Sequence, residues 1–146
     1  MGVTIKCEKT GANCDLGYGG FKNFRERVAY LLNDEFGKHY EKLFQIFIGI
    51  GFGDERHKRL AEEFDRETER LIKKHKISKR AAGFLFQADC GGKIPPSACK
   101  VIYGAIQDYD DNICYGYAGR KDCAMFSDLK ALFKDCCDTN SYLIWH

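Results

Sequence analysis

A chain of 146 residues, 45% hydrophobic and 30% charged, has the balance of one globular domain, and is long enough to bury a core without a metal or a disulfide framework. Its formal net charge of +2 gives no electrostatic drive toward nucleic acid or acidic membranes. The first residues lack the apolar stretch of a signal peptide, and the longest apolar run, 46–52, is far shorter than the ~20 residues that cross a bilayer, so a cytoplasmic protein with no membrane partner is expected.

Residues 3–9 alternate apolar and polar and are rich in β-branched side chains, which predicts a half-buried strand. Turn chemistry at 10–13 and a second alternation over 14–18 complete a hairpin that Gly19 and Gly20 end. A first helix is predicted from Asn23, with Glu26 three residues on as in a capping box, and with Phe24, Val28, Leu31 and Leu32 on one face. Gly37 is its expected C-cap. A second helix over 39–48 turns Tyr40, Leu43, Phe44 and Phe47 inward, and Gly49, Gly51 and Gly53 break it. A third, over 54–75, has Leu60, Phe64, Leu71 and Ile72 as its stripe, acidic residues early and Lys73 and Lys74 late, as the helix dipole favours.

Ser78 can cap a short helix, although Phe84, Leu85 and Phe86 also suit a strand. Residues 89–92 read as a loop, and Pro95 and Pro96 open a helix whose apolar face holds Cys99, Ile102, Tyr103 and Ile106. The 108–120 stretch reads as loop. A last helix over 122–138 aligns Cys123, Phe126, Leu129, Phe133 and Cys136, and residues 141–145 close the chain as a strand. The expected fold is α+β: about five helices covering one face of a small, mainly antiparallel sheet made by the N-terminal hairpin and the C-terminal strand, in one domain over 1–146.

Eight cysteines, without an export signal, are expected to be reduced and mostly packed as small hydrophobes. They contain no C-x-x-C pair, so no metal or cofactor is expected. Asp108, Asp110 and Asn112 match the start of a calcium loop, but Ile113 and Gly119 stand where it needs Gly and Glu. Gly49, Gly51 and Gly53 lack the spacing of a phosphate cradle, and Asp54 and Glu55 follow them. Cys90, in a loop after Asp89, is a candidate nucleophile with no base that spacing brings near. Lys73, Lys74, Lys76, Lys79 and Arg80 form a basic cluster at a helix end, where basic residues already have a structural role. Tyr115, Tyr117 and Arg120, set among glycines, have the composition of a recognition loop. They are the expected binding surface, joined by Asp89 and Cys90, and no catalytic residue is assigned.

The segment from Phe86 through Asp89, Cys90, Gly92, Ile94 and Pro96 resembles a loop-into-helix stretch, of Asp-Cys-x-Gly-x-Ile-x-Pro form, in small uncharacterised bacterial proteins. The resemblance implies a bacterial or phage origin and brings no activity with it. The function expected is that of a non-enzymatic interaction or accessory protein with a protein partner. The alternatives are a small hydrolase or transferase using Cys90 or carboxylates, and a nucleic-acid-binding accessory protein, although nucleic acid is the less expected partner.

Overall fold

The computed structural model describes residues 2–47 and 55–146, and for Phe47 the backbone only. The glycine-rich segment 49–53, where the second helix was expected to break, lies outside the described residues. Those described form six helices on a four-stranded antiparallel sheet of order β2-β1-β4-β3, the α+β fold expected. The strands are β1 (Gly2–Cys7), β2 (Asn13–Gly17), β3 (Gly92–Ile94) and β4 (Leu143–Trp145). The helices are α1 (Tyr18–Leu32), α2 (Asp34–Phe47), α3 (Glu55–Lys74), α4 (Lys79–Phe86), α5 (Pro96–Ile106) and α6 (Phe126–Thr139).

The alternation in β1 buries Val3, Ile5 and Cys7 and leaves Gly2, Thr4 and Lys6 half-buried. Leu16, Ile94, Leu143 and Trp145 from the other strands are buried with them. β3 overlaps the loop predicted over 89–92 at Gly92 and continues through Lys93 and Ile94, for which no element is predicted. Its three residues carry no period of their own, and it becomes a strand by pairing Ile94 with Leu143 of β4.

α1 starts five residues earlier than predicted, so Gly19 and Gly20 lie inside it. Gly20 is needed there because a Cβ would collide with the Tyr115 carbonyl. Asn33, not Gly37, separates α1 from α2, and its side-chain Oδ1 accepts from Phe36 N at 3.0 Å, one of the amides that a helix start leaves unpaired. The Ser78 cap is made, with Ala81 N donating to Ser78 Oγ at 3.2 Å, and the 84–86 run is helical. α6 begins at Phe126, because Cys123 is held outside it in a disulfide with Cys114. The expectation of reduced cysteines is thereby corrected for this pair. Nine residues apart in sequence, these two cysteines are brought together by the pairing of Cys114 with Met125 and by Tyr115 N donating to Ala124 O at 2.8 Å.

The core is built around rings. Phe24 meets Phe84, Tyr115, Phe126 and Phe133 at centroid distances of 5.7–6.0 Å, and Trp145 meets Phe21 and Phe84 at 6.0 and 5.5 Å. Cys7, Cys99 and Cys136 fill the space beside β4, all fully buried.

Candidate functional site

α1 turns Tyr18, Lys22, Arg25 and Glu26 to one side, at the three- and four-residue spacing of a helix face. α2 presents Tyr40, Glu41, Leu43 and Phe44 opposite, and Leu85, Phe86 and Asp89 close the end. Together they enclose a cavity of about 440 Å³, within the range of small-molecule sites. Phe44, expected in the core, is instead 51% exposed, and Tyr18 and Phe86 are 44% and 37% exposed. These three aromatics line the cavity.

Arg25 is part of the cavity wall and only 4% exposed. Its guanidinium lies 4.2 Å from the Phe21 ring centre and 5.5 Å from that of Trp145. Nη1 donates to Asp89 Oδ1 at 2.9 Å, while Nε and Nη2 are buried without a hydrogen-bond partner. A buried donor left unpaired costs about 1–3 kcal/mol, and more when charged. Cation–π contact returns about 0.5–2 kcal/mol for the whole group, so the rings explain where the guanidinium sits but not its missing partners. Burial pushes its pKa down from the ordinary value, against the opposing influence of Tyr40 and Asp89.

Asp89 is placed by its neighbours in the chain. Trp145 Nε1 donates to Ala88 O at 2.9 Å, and the Gln87 side chain bridges both backbone groups of Lys93. The loop is thereby tied to β4 and β3 just where it passes Arg25. The Asp89 side chain itself is 57% exposed, so solvent or a ligand can compete for its place.

The expected recognition loop is divided by the fold. Tyr115 is 1% exposed, and its hydroxyl donates to Asp111 Oδ2 at 2.6 Å, as does that of Tyr109 at 3.1 Å. Burial, followed by Asp111, pushes the Tyr115 phenol well above its ordinary range. The ring packs on Phe24 and cannot meet a partner, so Tyr115 is withdrawn from the binding surface. Tyr117 is half-buried with its hydroxyl against Gly2, and Arg120 stacks over it at 5.4 Å and pairs with Asp122 at 3.4 Å. Among the described residues no hydrogen bond or ion pair joins Asp89 or Cys90 to Tyr117 or Arg120. Asp89 belongs to the Arg25 cavity instead.

Cys90 is exposed beside that cavity. His39 bonds Thr68 and His75 bonds Glu35, and no hydrogen bond links Cys90 to a histidine among the described residues. Lys74 pairs with Glu35, Lys79 with Glu69, and Arg80 donates to Ser97, so these members of the basic cluster have acidic or polar neighbours. Among the described residues no three His, Cys, Asp or Glu side chains are grouped to hold a metal. No described helix is long and apolar enough to cross a membrane.

No family model, curated protein or solved structure matches the chain. The site therefore rests on its own geometry. One signal of it was present in the sequence. Arg25 falls between Phe24 and Val28, four residues after Phe21, inside the apolar arc of its helix, where a charge needs a reason.

Proposed function

We propose that the chain is a binding protein and not an enzyme, an accessory protein whose ligand is a small carboxylate with an apolar body. The observation that carries this reading is Arg25, a buried guanidinium in a cavity wall with a single hydrogen bond and two unpaired nitrogens. A ligand carboxylate exchanging with the exposed Asp89 would supply the two-point contact that a guanidinium fork favours. The partly exposed rings of Tyr18, Phe44 and Phe86 would cover the apolar part. Binding is favoured over catalysis because the potential nucleophile, Cys90, has no histidine bonded to it among the described residues. The Cys114–Cys123 bond favours an oxidising compartment over the cytoplasm.

The test is calorimetric titration with 3-phenylpropanoate. The native chain is expected to bind it. Arg25→Met is expected to weaken binding at least about tenfold, the scale of a charge-assisted hydrogen bond. The partner left behind, Asp89, is 57% exposed and can be hydrated, so no buried charge is left unpaired and this variant should stay folded by circular dichroism. Equal affinity in a folded Arg25→Met variant would end the proposal.

A further inference from the structure

We infer that Asp89 is a built-in competitor for the Arg25 guanidinium, held there by its loop, so that the cavity refuses simple carboxylates and takes only those whose apolar body drives the exchange. The inference rests on the carboxylate reading of Arg25 and adds to it what decides which carboxylates enter. The guanidinium lies 4.2 Å from the ring centre of Phe21, 5.5 Å from that of Trp145 and 5.6 Å from that of Phe84. Its polar contact is Asp89, which lines the cavity and accepts from Nη1 at 2.9 Å. Nε and Nη2 are buried. A ligand carboxylate therefore gains a two-point contact only when Asp89 yields its place and the guanidinium turns toward the cavity. The Asp89 side chain is 57% exposed, so it can leave into water.

Asp89 has an advantage over a free carboxylate because it belongs to the same chain. A tethered group acts at a high effective concentration, and more so when its tether is ordered. Two ties order it. On one side Trp145 Nε1 donates to Ala88 O at 2.9 Å. On the other, Lys93 N donates to Gln87 Oε1 at 3.1 Å, and Gln87 Nε2 donates to Lys93 O at 2.9 Å. The apparent affinity for any carboxylate is lowered by the fraction of molecules in which Asp89 holds Arg25. One carboxylate replacing another gives little net gain, so acetate has nothing to set against this. A ligand with an apolar body does, because it also removes Tyr18, Phe44 and Phe86 from water.

Two variants test this by calorimetric titration. Asp89→Asn keeps an oxygen for Nη1 without the charge, and a neutral acceptor bonds about half as strongly. It should bind 3-phenylpropanoate about tenfold more tightly than the native chain. Gln87→Ala loosens the loop without changing any charge, and should tighten binding about threefold, the scale of a net hydrogen bond. Acetate, against an equal concentration of chloride, should displace 3-phenylpropanoate from Asp89→Asn and not from the native chain. If Asp89→Asn binds no more tightly, or if acetate competes equally well in the native chain, the competitor is rejected while the Arg25 reading stands. Tightening in Asp89→Asn with none in Gln87→Ala would assign the effect to lost charge repulsion, and would reject a competitor held by its loop. If 3-phenylpropanoate binds neither the native chain nor Asp89→Asn, the Arg25 reading fails and this inference with it.

Discussion

His39 shows how one buried polar group can set a pH limit. Its ring stacks on Phe64 at 4.1 Å, and Nε2 lies 2.7 Å from Thr68 Oγ1. The Thr68 hydroxyl already donates to Phe64 O at 2.8 Å, so its oxygen accepts from His39, and the neutral ring carries its proton on Nε2. Burial holds the His39 pKa below the ordinary value, with Glu67 opposing. As pH falls through the ordinary histidine value, the unfolded chain therefore takes up a proton that the folded chain refuses. The stability that His39 supports is complete above that value and is lost on acidification, at no more than about 1.4 kcal/mol per pH unit. Urea unfolding from about pH 7 to pH 5 should show this slope, and His39→Gln should flatten it. Glu35 acts in a separate window. His75, then Lys74, hold its carboxyl down at about 2, so its contribution fades only as pH falls from the ordinary carboxylate range toward that value. A slope near pH 6 that persists in His39→Gln would assign the effect to another group.

At the scale of elements, the 114–123 loop is a stapled edge of the core, with Arg120 and half of the Tyr117 ring left outside. Tyr115 is pinned from several directions: by Asp111, by the Gly20 backbone on α1, and by the disulfide beginning one residue before it. A closed loop of this size restricts the unfolded chain by about 2–3 kcal/mol on the chain-entropy account. Reduction with dithiothreitol, or Cys114→Ser with Cys123→Ser, should lower unfolding stability by about that amount while far-UV circular dichroism holds its shape. Unchanged denaturation midpoints would mean that the loop is ordered by Asp111 and Gly20 alone. Cys136 is a thiol of a different kind. Cys99 and then burial push Cys136 far above the ordinary thiol range, so it stays protonated as a packing group.

Over the whole molecule, sheet, core and cavity meet at Trp145. It is the only tryptophan, 2% exposed, bonded to Ala88 beside Asp89, with its ring 5.5 Å from the Arg25 guanidinium. Its emission should shift to the red on unfolding, and its intensity should change saturably as 3-phenylpropanoate fills the cavity, with the same midpoint as the calorimetric titration. Calorimetric binding without any change at Trp145 would place the ligand elsewhere on the surface.

The amino-acid sequence by itself determined what is written within a few neighbouring residues. The alternation of β1, the Ser78 cap, the proline start of α5 and the stripe of α3 are all local, because strand and helix periods and caps repeat over two to four positions. The α+β class followed from counting such elements. Tertiary structure decided what depends on distant partners. Gly20 is helical because Tyr115 crosses it, β3 exists because β4 pairs with it, and Cys123 leaves the predicted helix because Cys114 holds it. The Arg25–Asp89 pair joins residues 64 positions apart. No period or spacing encodes that distance. Only the packing of rings around Phe24 and Trp145 closes it, so Arg25 could be seen in the sequence as an oddity on an apolar face, but its cavity could not.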